Sequence, residues 1–218
     1  MNIEIFDVQQ GTPEWYRCRA GVPTCSNFHK VLAKGRGGEE SRTRQGYLYQ
    51  LADEAAYDDP LEGYGYTDEN IARGHEWEAE AASIYGLLTG ILPEQVGFVL
   101  NHDIKAGCSP DRLIGADGLL EIKTSFPRLW LGAMIRDEFI TDHVAQCQGA
   151  LLVTGREWID LMIYWPMRTP FIKRAYRDEV YLTALRKALD AFNGELATVI
   201  AALRTRQDLF ATLKAAAS

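Results

Sequence analysis

The stretch from Gly107 to Lys123 constrains the fold most, because it places charged residues inside an apolar strand. It opens with the turn G-C-S-P-D-R-L and ends with G-L-L-E-I-K at residues 118–123. Side chains alternate faces along a strand, so Glu121 and Lys123 point the same way, roughly 7 Å apart. If the segment that contains Asp111 pairs back as a hairpin, Asp111 meets Glu121 at one end of the sheet.

Two carboxylates and a lysine at that position have two interpretations. Burying an unpaired carboxylate costs several kcal/mol, so these acids need partners or a metal. They can hold a hard cation and a water molecule, or Asp111 or Glu121 can form a structural ion pair with Lys123. A Glu-x-Lys pattern alone arises about once per chain by chance. Its place after a Ser-Pro-Asp turn makes it more specific, but the residues alone leave both interpretations open.

Composition limits the class of protein. A chain of 218 residues with 47% hydrophobic residues suits one globular domain, and we predict a single domain over 1–218. Its four cysteines form no C-x-x-C pair, which favours neither a zinc site nor a disulfide framework. The sequence shows no apolar run long enough for a membrane and no signal peptide, so we expect a cytoplasmic protein.

Charge bears on whether the protein can bind nucleic acid. The net charge of −7 argues against non-specific nucleic-acid binding over the whole surface. Basic residues cluster within 30–44 and 168–177, which leaves room for a local basic groove.

The pattern of helix and strand signals predicts a mixed α/β, α+β-like fold with one central mixed β-sheet, flanking helices and a long C-terminal helix. Thr12, Ser26 and Asp142 are predicted helix caps, and Gly155 a helix stop. Helices are expected at about 13–21, 26–33, 41–57, 69–88, 127–137, 143–153 and 179–213, the last interrupted at Asn193-Gly194. Strands are expected at about 94–100, 105–108, 112–115, 118–124, 157–165 and 170–176.

Other chemistries lack their signatures. The sequence contains no phosphate loop, no dinucleotide-binding glycine pattern and no nucleophile elbow. Its four histidines lack the spacing of a zinc-binding helix. A cysteine nucleophile with a histidine base stays open, although no local signature supports it.

Four motifs, in the same order, resemble the phage lambda exonuclease family of viral recombination alkaline exonucleases, within the PD-(D/E)XK nuclease superfamily. They cover about residues 11–165, and the C-terminal helix carries no recognisable signature. The four are W-Y-R-C-R-A-G-V-P-T-C-S at 15–26, R-G-H-E-W-E at 73–78, G-C-S-P-D-R-L with L-E-I-K-T at 107–124, and A-Q-C-Q at 145–148. The first departs from the family pattern W-x-x-x-R-x-G-x-x-T-A-S at Cys25. The resemblance implies a restriction-endonuclease-like nuclease core.

The resemblance also implies an activity. Such a protein degrades one strand of linear double-stranded DNA in the 5′-to-3′ direction and leaves 3′ single-stranded overhangs for recombination by strand annealing. It uses two Mg²⁺ ions, for which Mn²⁺ can substitute, and oxygen ligands suit both. The resemblance also implies a homotrimeric ring around DNA, a single-strand-annealing partner, and a phage or prophage origin in a bacterial cytoplasm.

By the same resemblance, residues of this chain receive catalytic roles. The metal ligands are Asp111, Glu121, the backbone carbonyl of Ile122 and, through bound water, Glu78. Lys123 holds the attacking water and helps to deprotonate it, and Gln146 orients that water or Lys123. A surface carboxylate is the alternative for Glu78.

An exonuclease also needs to sense a DNA end. The resemblance places Arg19, Ser26 and Ser109 around the 5′-phosphate, and the planar fork of arginine suits phosphate. Arg36 is a predicted groove contact, and Ile71 a predicted wedge between the strands. The alternatives are a surface salt bridge for Arg19, a helix cap for Ser26 and ordinary core for Ile71.

Two further functions stay open at this point. One is another PD-(D/E)XK nuclease, such as an endonuclease or a repair exonuclease, and the other is a catalytically silent DNA-binding module of the same fold. The arginine–serine pair at positions 19 and 26 favours an end-directed enzyme, because an enzyme that cuts internally has little use for a 5′-phosphate pocket. The complete set of acids, lysine and glutamine argues against a silent module.

Overall fold

The computed structural model describes residues 1–35, 37, 39–61, 69–126, 128 and 130–216, without the side chains of 69–76 and 216. Two of the predicted DNA contacts, Arg36 and the side chain of Ile71, therefore lie outside the described residues. Within these ranges, none of the helices combines the length and apolar character needed to cross a membrane.

Helices and strands alternate irregularly along the chain. The helices are α1 (Pro13–Arg19), α2 (Phe28–Val31), α3 (Arg42–Tyr57), α4 (Glu69–Thr89), α5 (Leu131–Arg136), α6 (Val144–Thr154) and α7 (Glu179–Ala216). The strands are β1 (Ile3–Phe6), β2 (Phe98–Asn101), β3 (Ala106–Cys108), β4 (Arg112–Ile114), β5 (Gly118–Thr124), β6 (Trp158–Tyr164) and β7 (Phe171–Tyr176). The predicted mixed α/β class with a long C-terminal helix is confirmed.

The strands form two hydrogen-bonded ladders, β1-β2-β3 and β4-β5-β6-β7, where one central sheet was predicted. The second ladder is mixed, since β5 runs parallel to β6 while the other neighbours are antiparallel. The break falls at residues 109–111, where Pro110 has no N–H to donate. The predicted hairpin is confirmed, with Arg112 opposite Leu120 and Ile114 opposite Gly118. The Asp111 turn therefore lies where the two ladders meet.

Strand β5 is covered on both faces, as expected for a strand with a parallel neighbour. Leu119 belongs to the larger apolar cluster, to which α6 contributes Leu151. Leu120 and Ile122 pack on the opposite face with Tyr85 of α4. The face that carries Glu121 and Lys123 is therefore the α6 face. The prediction of one domain over the whole chain stays a prediction.

Two predicted helix caps were wrong, and in both cases a 3₁₀ turn precedes the helix. Ser26 lies inside a 3₁₀ turn, Cys25–Asn27, closed by Asn27 N–H donating to Thr24 O at 2.8 Å, so α2 begins only at Phe28. Asp142 lies inside a second such turn, Thr141–His143, and α6 begins after it at Val144. Thr12 does cap α1, and Gly155 ends α6 with φ of 72°.

Helix α7 is continuous, so the predicted interruption at Asn193-Gly194 was wrong. Phe192 and Leu196 are buried on either side of that pair. The Asn193 side chain donates to Ile104 O at 2.9 Å. These contacts outweigh the helix penalty of one glycine, about 1 kcal/mol.

Three other boundaries differ from prediction. Strand β1 was not predicted, and its side chains are exposed or half-buried, so its hydrophobic pattern is weak. Strand β2 starts only at Phe98, and Glu94, which was predicted to begin it, makes an isolated bridge with Leu113 instead. Helix α5 starts at Leu131, while the predicted start at Pro127 lies outside the described residues.

Candidate active site

The β4–β5 hairpin brings an acid, a lysine and a second acid together at its open end. Asp111 Oδ2 accepts the backbone N–H of Ile122 at 2.5 Å, which fixes the turn against β5. Lys123 Nζ lies 2.6 Å from Glu121 Oε1, as the same-face argument predicted. Gln146 of α6 donates to the same oxygen at 2.5 Å. Gln146 therefore contacts Glu121 in this structure, and its predicted contact with water or Lys123 stays a prediction.

The charges at this end of the hairpin are crowded and poorly hydrated. Burial raises the pKa of Asp111 well above its usual value, and the charge of Glu121 raises it further. Burial acts to lower the pKa of Lys123, but the carboxylates of Glu121 and Asp111 outweigh it and raise that pKa above its usual range. Lys123 is therefore an ammonium ion that donates hydrogen bonds. The carboxylates of this cluster therefore favour the binding of a further positive charge, such as a proton or a metal cation.

Glu78 reaches this cluster from the opposite side of the sheet. Arg112 Nη1 lies 2.7 Å from Glu78 Oε1 and also donates to the backbone carbonyl of Asp111. Arg112 lies opposite Leu120 in the hairpin, so it faces α4, and it is largely buried. Of the two alternatives for Glu78, the inward orientation is the one observed.

Arg112 had no role in the sequence analysis. The available signal was an arginine directly after the acidic turn, at a strand position that faces a buried leucine. A charge at such a position needs a buried partner.

The three residues predicted to hold a phosphate line the same cavity as the acids. The cavity measures about 170 Å³, and its walls include Arg19, Ser26, Ser109, Asp111, Glu121, Lys123 and Gln146. A backbone bridge between Thr24 and Gly107 ties the N-terminal segment to the strand before the turn. That bridge brings together residues more than eighty positions apart in sequence.

Trp15 organises the phosphate side of this cavity. Its indole N–H donates to Ser109 Oγ at 2.9 Å. The guanidinium of Arg19 lies over the same ring, with Cζ 3.8 Å from the ring centroid. Ser26 Oγ lies 3.4 Å from Thr24 Oγ1. Trp15 was noted in the sequence only as part of a motif, although it contacts both Arg19 and Ser109.

The donor atoms suit a hard divalent cation. Three carboxylates, those of Asp111, Glu121 and Glu78, face two cationic side chains, so negative charge is in excess, and oxygen ligands are those that Mg²⁺ and Mn²⁺ prefer. Among the described residues, however, no three histidine, cysteine or acidic side chains already form a metal-binding group. Glu121 and Glu78 each contact a protein cation instead.

Two of the cysteines near the site, Cys25 and Cys147, are not reactive thiolates. All four cysteines lie within the described residues and are free thiols. Burial raises the pKa of Cys25 and of Cys147, so both thiols stay protonated. A cysteine nucleophile, which the sequence left open, is disfavoured because the thiolate is the reactive form.

Comparison with known proteins decides the family. The model of the YqaJ-like viral recombinase domain matches residues 14–157, which is more than half of the chain. The chain belongs to this family. The matched segment contains every residue named above as lining the cavity, together with Glu78 and Arg112. The resemblance to viral recombination exonucleases is confirmed.

Solved structures show the same fold. An alkaline exonuclease, LHK-Exo, from Laribacter hongkongensis is 26% identical, covers 91% of this chain and 100% of its own, and has a TM-score of 0.79. The same protein in complex with dAMP gives the same values. A phage related exonuclease from Haemophilus somnus 129PT is 13% identical over 84% of this chain and 96% of its own, with a TM-score of 0.60, which shows the fold alone. A sequence comparison with curated proteins gives no match.

Proposed function

We propose that this YqaJ-like protein is a Mg²⁺-dependent 5′-to-3′ exonuclease. It degrades one strand of linear double-stranded DNA and leaves 3′ single-stranded overhangs. One observation carries the proposal: the residues suited to a terminal phosphate and those suited to hydrolysis line one cavity of about 170 Å³. The likeness to LHK-Exo, described as an alkaline exonuclease, supports the same activity.

The proposed metal ligands are Asp111, Glu121, the backbone carbonyl of Ile122 and, through water, Glu78. Two hard cations held at these oxygens would supply an activated water and would neutralise charge on the phosphate. Gln146 holds Glu121 in place on one side of the sheet, and Arg112 holds Glu78 on the other. Both partners fix the orientation of a carboxylate that is proposed to bind metal, as the hydrogen-bond partners of metal ligands commonly do.

Lys123 supplies a hydrogen-bond donor next to the reacting phosphate. Its ammonium lies beside Glu121, where it can orient the attacking water and compensate negative charge on the phosphate oxygens. Lys123 lies beside Glu121 on the same face of β5, and the strand backbone fixes the spacing of the two residues.

The 5′-phosphate binds between Arg19, Ser109 and Ser26. The Ser109 oxygen accepts the Trp15 N–H, so its own proton is directed to another acceptor such as a phosphate oxygen. The Arg19 guanidinium lies over the Trp15 ring, which restricts its position beside the cavity, and its planar fork can donate two parallel hydrogen bonds to a phosphate. Together they select a phosphorylated end.

The assembly proposed with this activity is a homotrimeric ring around DNA. A ring with a basic lining accommodates a net charge of −7 on the whole chain. Arg36 and Ile71 are the proposed groove contact and strand wedge. A single-strand-annealing protein is the proposed partner, with a phage or prophage gene expressed in a bacterial cytoplasm as the setting.

Digestion of a linear duplex labelled separately at each end tests the proposal. In Mg²⁺, label at the 5′ end of a strand is released early as mononucleotide, whereas label at the 3′ end persists. A chelator stops the release. Lys123→Ala retains DNA binding but not cleavage. Rapid cutting of a covalently closed circle, or early loss of the 3′ label, contradicts a 5′-directed exonuclease.

A further inference from the structure

Three aromatic rings lie beside the candidate active site, and the middle one, Trp165, contacts both Phe126 and Trp77. The ring centroids of Phe126 and Trp165 are 4.4 Å apart, and those of Trp77 and Trp165 are 4.9 Å apart. Phe126 remains 59% exposed, whereas Trp165 and Trp77 are half-buried. The cluster therefore presents a supported aromatic face to solvent.

The position of this cluster links it to the chemistry. Phe126 follows Lys123 by three residues, so their Cα atoms are no more than about 11 Å apart. Trp77 directly precedes Glu78 on α4. Trp165 follows the last residue of β6, Tyr164, which pairs with Thr124. The rings thus lie at the edge of the sheet where β5 and β6 end, next to two of the proposed active-site residues.

Positive charge flanks the exposed ring. Arg128 Cζ lies 5.9 Å from the Phe126 ring centroid, and Arg168 is exposed three residues after Trp165. Aromatic faces beside guanidinium groups are the combination that single-stranded nucleic acids require, because bases stack on the rings and cations contact the backbone. An apolar protein partner needs no such cations.

We propose that Phe126, supported by Trp165 and Trp77, stacks an unpaired nucleobase at the DNA end being degraded. This inference rests on the proposed function. A terminal nucleotide that enters the cavity leaves its partner strand, and a base that leaves its helix loses its stacking partners. The Phe126 ring replaces one of them.

Binding measurements separate base stacking from general attachment. The parent is Lys123→Ala, which prevents cleavage, and the ligands are duplexes with a short frayed end. Their unpaired nucleotides, varied one at a time in either strand, carry a base or are abasic. At one of these unpaired positions, the parent binds the end that carries a base about tenfold more tightly than the end that is abasic there. Adding Phe126→Ala removes this preference, so both ends bind equally.

Matched variants control for folding and for apolar contact. Phe210→Ala removes the same side chain from α7, where Phe210 is 70% exposed, and it leaves the preference unchanged. Phe126→Trp retains the preference because it keeps a ring, whereas Phe126→Leu loses most of it. Unchanged melting temperatures show that these exposed substitutions do not unfold the protein.

The outcomes distinguish this proposal from the proposed function. A base preference that survives Phe126→Ala overturns the stacking role, as does a parent that binds both ends equally. If Phe126→Ala instead changes the oligomeric state and leaves the base preference intact, the patch is a protein contact. A parent that binds neither end overturns both the stacking role and the proposed function.

Discussion

Two buried carboxylates on neighbouring strands differ in what surrounds them. Asp160 on β6 and Glu121 on β5 are each 3% exposed, and each contacts a cationic side chain. Asp160 receives two hydrogen bonds from Arg174, both at 2.8 Å, and one from the Tyr85 hydroxyl at 2.7 Å. Its two oxygens are both engaged, so this acid acts as a structural link between α4, β6 and β7.

Glu121 lies on the opposite face of the sheet in less balanced surroundings. Both Lys123 and Gln146 donate to the same oxygen, Oε1. A second acid, Asp111, lies close enough for the charge of Glu121 to raise its pKa, and both acids line a cavity. The comparison teaches that a buried acid–cation pair is not in itself a functional signal. Crowding of like charges beside an open cavity is a functional signal.

The largest expected effect separates these two acids directly. Glu121→Gln should abolish cleavage while leaving the free energy of unfolding close to that of the wild type. Asp160→Asn should retain cleavage within a few-fold but lower the free energy of unfolding by about 2 kcal/mol, because it weakens a buried network. Denaturant titration and initial rates measure the two effects. Loss of activity in Asp160→Asn at full stability would remove the distinction.

Arg112 tests an intermediate case, since its pair with Glu78 resembles that of Asp160 but borders the active site. Arg112→Ala should weaken Mg²⁺ or Mn²⁺ binding about tenfold to a hundredfold, as loss of a residue that orients a ligand commonly does. Titration calorimetry measures the affinity independently of turnover. Arg112→Lys should recover part of it. Unchanged metal affinity in Arg112→Ala would make this pair purely structural.

Trp15→Phe tests the phosphate side of the cavity. It removes the hydrogen bond to Ser109 while keeping a ring beneath Arg19. The expected result is about a fivefold rise in KM for 5′-phosphorylated DNA, the value of one neutral hydrogen bond, with kcat little changed. Steady-state kinetics on 5′-phosphorylated and 5′-hydroxyl duplexes measure it. An equal rise on both substrates would contradict a role at the terminal phosphate.

The smallest effect concerns stability without metal. The pKa of Asp111 is raised in the folded state, so its stabilising contribution is present at low pH and is lost as the pH rises through that pKa. In a chelator, the wild type should therefore lose stability relative to Asp111→Asn as the pH increases, and Mg²⁺ should reverse the loss. Thermal unfolding across this range gives the difference. Parallel curves for the two proteins would contradict crowding of charge at Asp111.

Local patterns were sufficient to predict the core of the site. The two-residue period of a strand placed Glu121 and Lys123 on one face, and the hairpin that was considered for the Asp111 segment is present. The motif order then indicated the family, which the match over residues 14–157 confirms.

Tertiary contacts explain what the sequence did not reveal. The pair between Arg112 and Glu78 joins residues 34 positions apart through the packing of α4 on the sheet. The aromatic contact of Trp77 with Trp165 depends on the same packing. Helix α7 stays continuous because buried side chains override the local preference of Asn193-Gly194.

The most direct test of the central claim compares initial rates on one linear duplex with either a 5′-phosphate or a 5′-hydroxyl end. The wild type is predicted to degrade the phosphorylated end much faster, and Arg19→Ala is predicted to bring the two rates close together. Equal wild-type rates on the two ends would contradict a cavity that couples recognition of the 5′-phosphate to hydrolysis.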